Sequence, residues 1–134
     1  MKFILLTFES SRETWSEAAF ALYTKKIGAL VSFERQVFKS PSKDRKEAEE
    51  KKRVEAEVLL QKLLPADFVI LCDEIGKTLT SRAFATKVQD VMSSGKKRCV
   101  FVVGGAFGVS EGVKARADYT LQLSSMTMNH LVAQ

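Results

Sequence analysis

Residues 100–108 of this chain read VFVVGGAFG, an apolar run that passes directly into a glycine-rich turn. A short apolar run bounded by glycines predicts a strand buried on both faces, followed by a tight backbone turn. Because glycine has no side chain, a ligand can approach the bare main chain at such a turn. The motif differs in spacing from the dinucleotide-binding fingerprint, and no Gly-Lys-Ser/Thr follows it as in a P-loop. A plain strand-to-helix turn is the alternative.

A second unusual loop follows about a dozen residues later, where residues 121–130 read LQLSSMTMNH. An uncharged loop rich in Ser, Thr and Met suits an apolar ring held among main-chain amides and carbonyls. The alternative is a loop whose methionines fill the core. His130 either faces the pocket and shifts a proton near neutral pH, or it is fixed at the start of a helix that Asn129 caps.

Strand and helix patterns alternate through the rest of the chain. Strands are predicted over 2–8, 31–38, 68–72, 98–103 and 119–123, and helices over 11–26, 44–64, 81–92 and 110–117. We also predict a turn at Gly76-Lys77 and helix N-caps at Ser81 and Ser110. This order predicts an α/β fold in which a mostly parallel sheet carries helices on both faces. Ligands bind beyond the carboxyl ends of such strands, so the segments after residues 72, 103 and 123 are the candidate binding loops.

The bulk composition is that of one globular domain. The 134 residues are 46% apolar and 28% charged, which is enough to bury a core without metals or disulfides. No apolar run is long enough for a membrane span, and the short apolar start does not resemble a secretory signal. We therefore expect a cytoplasmic protein. Cys72 and Cys99 lie in apolar strand-like segments and are expected to be reduced. No metal site is expected, because metal-ligand spacing is lacking.

The formal charge of +5 is compatible with a partner that bears phosphates. Residues 39–53 hold seven basic side chains interleaved with four acidic ones. Such a run predicts either a solvated helix with ion pairs at i,i+4 or a basic edge that lies along RNA phosphates.

Several segments together resemble the RlmH-type methyltransferases of the SPOUT superfamily over essentially the whole chain. They are VILCDEIGK at 69–77, LTS at 79–81, FVVGGAFG at 101–108, ARAD at 115–118 and LQLSSMTMNH at 121–130. The resemblance implies S-adenosyl-L-methionine-dependent methylation of a pseudouridine at N3 in 23S rRNA of the large ribosomal subunit. It also implies a homodimer, and an α/β sheet whose C-terminal part is tied in a trefoil knot, a rare exception to the rule against knots.

The resemblance further implies the site residues. Cofactor contacts fall on Cys72, Gly104, Gly105, Ser124, Ser125, Met126, Thr127, Met128 and Asn129. His130 matches the family histidine and is the candidate catalytic group. RNA contacts are expected from the basic run, first from Lys43, Arg45 and Lys46.

The chain departs from the family in three places. Position 72 is usually aliphatic in the family, and position 129 is commonly proline or serine. Family members also continue past the position of Gln134 with the helix that is threaded through the knot. We therefore expect a single SPOUT domain, truncated at its C-terminus, that lacks this final helix.

Two other functions stay open from the sequence. One is a non-catalytic fragment that dimerises or binds the cofactor without turnover. The other is a flavodoxin-like nucleotide-binding module, which the lack of a phosphate-cradling motif argues against.

Overall fold

The computed structural model describes residues 1–8, 14–39, 48–104, 108–128 and 130–134. The strands are β1 (Lys2–Phe8), β2 (Ser32–Phe38), β3 (Phe68–Thr78), β4 (Arg98–Val103) and β5 (Tyr119–Gln122). The helices are α1 (Thr14–Gly28), α2 (Ala48–Lys62), α3 (Ser81–Met92), α4 (Glu111–Arg116) and a short α5 (His130–Ala133). The predicted alternation of strands and helices is confirmed. None of the helices in these ranges is both long and apolar enough to cross a membrane.

The five strands form one sheet in the order β2-β1-β4-β3-β5, and every pair of neighbours is parallel. The carboxyl ends of parallel strands meet at one edge of the sheet. Since β4, β3 and β5 are adjacent, the loops that follow them are brought together at this edge. The predicted parallel α/β fold is therefore confirmed, whereas the trefoil knot stays a prediction.

Helices cover the sheet on both faces. Successive residues of a strand point to opposite sides, so each apolar strand offers side chains to both layers of helices. On one face, Ile4 and Leu6 of β1 pack with Leu59 of α2 and Val113 of α4. On the other face, Val91 of α3 packs in a second buried cluster with Phe3, Ile70, Cys99 and Leu121. The interiors of β1, β3 and β4 are thus buried on both sides, as their continuous apolar runs predict.

Helix α1 leaves three of its large apolar side chains exposed. Trp15 is 58% exposed, Leu22 50% and Tyr23 59%. The buried side chain of this helix is Ser16, and the ring of Phe20 lies 3.7 Å from the guanidinium carbon of Arg35 on β2. Helical spacing therefore predicts the helix correctly but does not identify the face that packs.

The predicted turn at Gly76-Lys77 is wrong, because β3 continues through these residues to Thr78. Cys72 and Lys77 both lie opposite Leu121 of β5, so residues 73–76 form a bulge between them. Gly76 is required at this point, since a Cβ there would lie 2.6 Å from the carbonyl carbon of Leu121. The bulge lies at the edge of the sheet where the candidate loops meet.

The predicted N-caps differ by at most one residue. The cap of α3 is Thr80 rather than Ser81, and its Oγ1 accepts a hydrogen bond from the Ala83 amide at 3.1 Å. Ser110 caps α4 as predicted and accepts from the Val113 amide at 3.3 Å.

The ARAD segment has a structural role at the opposite, amino-terminal edge of the sheet. The buried Asp67 carboxylate lies 3.0 Å from both Nε and Nη2 of Arg98. Arg116 donates to the main-chain oxygen of Asp67 at 3.1 Å. Asp118 accepts from the Val69 amide at 2.8 Å. This network fixes the starts of β3, β4 and β5 relative to one another, and it lies away from the candidate binding loops.

Candidate cofactor site

A cavity of about 630 Å³ lies at the carboxyl ends of β3, β4 and β5. Three chain segments and one residue of α5 form its walls: Cys72, Asp73, Glu74, Val103, Gly104, Gly108, Val109, Gln122, Leu123, Ser124, Met126, Thr127, Met128 and Ala133. The volume falls within the range typical of small-molecule sites. The glycine turn and the Ser/Met loop therefore border one space, as the sequence predicts.

Most of the predicted cofactor residues that the structure describes line this cavity. Those residues are Cys72, Gly104, Ser124, Met126, Thr127 and Met128. Ser125 is exposed and is not part of the lining. Gly105 and Asn129 lie outside the described residues.

His130 is the first residue of α5, and Ala133 of the same helix borders the cavity. The predicted histidine is therefore in an element beside the site. Its catalytic role stays a prediction.

Close packing of the main chain shapes the glycine side of the cavity. A Cβ on Gly104 would collide with Cγ1 of Val109, and it would lie 3.4 Å from the Gly108 carbonyl oxygen. Val109 in turn packs against the core beneath α2 and α4. A side chain at residue 104 would therefore require Val109 to move.

The opposite wall is held by a local hydrogen bond in the Ser/Met loop. The Met126 amide donates to Oγ of Ser124 at 3.0 Å, which closes a tight turn after β5. Met126 is 78% exposed. The interpretation that this methionine fills the core is therefore wrong, and its side chain is available at the cavity.

Two carboxylates that are not among the predicted cofactor contacts also line the cavity, at the strand end after residue 72 that the sequence predicts as a binding loop. Asp73 is half-buried and Glu74 is exposed, and both belong to the bulge of β3. The described lining contains no Lys or Arg. The sequence signal for these carboxylates is their position directly after the apolar segment of β3. The bulge that contains them depends on pairing with β5 and has no signal in the sequence.

Cys72 precedes these carboxylates in β3 and contributes a neutral part of the cavity lining. Burial raises the pKa of its thiol to about 11, so it is protonated near neutral pH. Burial, followed by the nearby charges of Asp118 and Asp67, raises the pKa of the Cys99 thiol to about 12. Both cysteines are free thiols, as predicted.

Lys43, Arg45 and Lys46 lie outside the described residues, so the described part of the basic run is Lys39 and residues 48–53. Arg53 pairs with Glu57 at 2.8 Å and also with Glu50, and Lys52 lies 3.6 Å from Glu49. The prediction of a helix laced with ion pairs is confirmed for residues 48–53.

Lys52 also lies beside the glycine turn. A Cβ on Gly108 would be 3.9 Å from the Lys52 Cε. Helix α2 therefore brings at least one basic side chain to the rim of the cavity.

In the described part of the chain, no group of three or more His, Cys, Asp or Glu side chains is arranged to hold a metal ion.

Comparison with known proteins agrees with this geometry over the full chain. The family model described as "Predicted SPOUT methyltransferase" matches residues 1–134. The chain is 42% identical over 134 residues to "Ribosomal RNA large subunit methyltransferase H" of Bdellovibrio bacteriovorus, which covers 100% of this chain and 86% of the relative. Proteins with the same name from Christiangramia forsetii and Phocaeicola vulgatus are 36% and 33% identical, covering 85% and 97% of this chain and 73% and 83% of their own lengths. The chain belongs to the SPOUT methyltransferase family and, within it, to the family of ribosomal RNA large subunit methyltransferase H.

Proposed function

We propose that this chain uses S-adenosyl-L-methionine to methylate a pseudouridine at N3 in 23S rRNA of the large ribosomal subunit, in the cytoplasm. The observation that carries the proposal is the cavity at three neighbouring strand ends, where the glycine turn and the Ser/Met loop face each other. The name that the relatives share supports ribosomal RNA as the substrate.

The residues around the cavity fit this cofactor. When bound, the cofactor supplies a methyl group on a positively charged sulfur. Positive side chains would repel such a ligand, and the described lining has none. Main chain at Gly104 and in residues 124–128 can accept and donate hydrogen bonds to a purine and a ribose, while Leu123 and Met128 provide apolar contact.

The chain acts mainly by holding the reactants in position. Methyl transfer is an in-line displacement, in which the carbon–sulfur bond breaks as the nitrogen–carbon bond forms, so orientation supplies much of the rate. The attacking ring nitrogen must also lose its proton. His130 is our candidate for receiving it, since an imidazole can accept a proton near neutral pH.

We propose that the RNA approaches from the α2 side of the cavity. Lys52 lies on this rim, and Lys43, Arg45 and Lys46 precede the same helix in the sequence. Contacts of these side chains with phosphates would make binding to rRNA depend strongly on salt.

We further propose that the protein acts as a homodimer that uses α1. The outward face of this helix carries Trp15, Leu22 and Tyr23, each at least half exposed. A second copy of the chain that packs on these side chains would remove a contiguous apolar surface from water.

Two measurements test the proposed function. Isothermal titration with S-adenosyl-L-methionine measures cofactor binding. Transfer of a radiolabelled methyl group to ribosomes that lack the modification, followed by mapping of the labelled nucleotide, measures the reaction. Labelling of N3 on a pseudouridine is the expected result. Binding without transfer would favour the non-catalytic alternative, and no binding would overturn the cofactor assignment.

A further inference from the structure

We infer that Asp73, with Glu74 beside it, makes this cavity prefer the cationic methyl donor over the demethylated product. The inference rests on the proposed function and adds a residue that determines specificity. It depends on the placement of the two carboxylates, on the absence of Lys and Arg from the described lining, and on the difference in charge between the donor and the product.

The bulge of β3 holds the two carboxylates at the cavity. Nε2 of Gln122 donates to the main-chain oxygen of Glu74 at 2.7 Å, and Oε1 of the same side chain accepts from Oγ1 of Thr78. Gly76 allows the main chain of the bulge to lie directly against β5. These contacts fix the backbone on either side of the acidic pair, so the carboxylates are part of the wall rather than of a free loop.

Within the part of the chain that the structure describes, the carboxylates of Asp73 and Glu74 have no basic partner. No basic side chain belongs to the described lining. Asp73 is half-buried, so water screens its charge less than it would on an open surface.

The reaction changes the charge of the ligand in this field. Before transfer the sulfur carries a positive charge, and after transfer it is a neutral thioether. A carboxylate close to the sulfur therefore stabilises the bound donor and gives no equivalent stabilisation to the product. The consequence is that donor displaces product, which keeps the site supplied with methyl groups.

The test is calorimetric titration of the full chain with two probes, S-adenosylmethionine and S-adenosylhomocysteine. We expect Asp73→Asn to weaken binding of the methionine form by about five- to tenfold and to change binding of the homocysteine form less than about twofold. Asp90→Asn is the matched control, because this exposed aspartate of α3 is not part of the cavity lining. It should change neither affinity. Sinefungin, which carries an amine in place of the methylated sulfur centre, should follow the methionine form.

The outcomes separate this inference from the proposed function. Equal weakening of both probes by Asp73→Asn would mean that the carboxylate contacts a part common to both, and would overturn the inference, as would unchanged affinity for the methionine form. Binding of neither probe by the unaltered chain would instead overturn the proposed cofactor. If Asp73→Asn does not fold, Glu74→Gln at the exposed neighbouring position must weaken the methionine form selectively, and a lack of selectivity there would equally refute the inference.

Discussion

Replacing Gly104 by alanine tests whether close packing of this residue against Val109 shapes the glycine side of the cavity. The new Cβ would collide with Cγ1 of Val109, whereas its 3.4 Å distance to the Gly108 oxygen is nearly tolerable. The strain therefore comes from one methyl group. Val109 packs against the core and cannot move freely. Adding a methyl group to such a site costs about 1–3 kcal/mol of the free energy of unfolding.

The same geometry predicts rescue by a second substitution. Val109→Ala removes the methyl that collides and by itself costs about 1–2 kcal/mol, because a half-buried valine loses its contacts. In the double variant the collision is gone. Its cost in free energy of unfolding should therefore be at least about 1 kcal/mol smaller than the sum of the costs of the two single variants. Gly112→Ala is the control, since its nearest neighbour, Oγ of Ser110, would be 3.7 Å away. Inside helix α4 this change should be neutral or stabilising by up to about 1 kcal/mol.

Urea denaturation of the four variants and the unaltered chain measures these free energies. Calorimetric titration with S-adenosylmethionine shows whether the cavity follows them: Gly104→Ala should weaken binding and the double variant should recover part of it. If the costs of Gly104→Ala and Val109→Ala were simply additive, or if Gly104→Ala were as harmless as Gly112→Ala, the steric argument would be refuted.

Three other measurements probe separate parts of the molecule. Asp67→Asn should lower the free energy of unfolding by about 2–3 kcal/mol, because it breaks a buried ion pair with Arg98. Glu57→Gln is the control: it removes an exposed ion pair with Arg53 and should cost less than about 0.5 kcal/mol. Equal effects of the two substitutions in urea denaturation would contradict this prediction. Burial raises the pKa of Cys99 to about 12, so folding favours its neutral thiol: the contribution is full below about pH 8.5 and is lost as the pH rises towards 12. Stability should therefore fall less steeply with alkaline pH in Cys99→Ala, and an unchanged slope would rule out this origin. Finally, light scattering should find a dimer that Leu22→Asp converts to a monomer; a monomeric unaltered chain would refute the α1 interface.

The order of strands and helices was predictable because most strand signals agree with the helix and turn signals beside them; the turn predicted at Gly76-Lys77 is the exception. Residues 98–103 are bounded by Gly95 and Gly104, and the predicted strand matches β4 in full. Helix α1 shows where this reasoning stops. Its apolar spacing predicts a helix but not that Trp15 and Tyr23 face outward, since periodicity does not say what lies on either side.

The site was predictable where it depends on strand ends and not where it depends on register. The glycine turn and the Ser/Met loop follow strands directly, so a parallel sheet necessarily places them at the same edge. The backbone that carries the acidic pair was not predictable in the same way, because residues 73–76 bulge out of the pairing between β3 and β5. That bulge arises from a contact between Gly76 and the main chain of Leu121, forty-five positions apart in the chain. A glycine followed by lysine predicts a turn from the sequence alone. Pairing with β5 instead makes Gly76 the point where the main chains of the two strands approach closely. The end of a predicted strand therefore places the acidic pair at the binding edge, whereas the bulge that holds its backbone there depends on strand pairing.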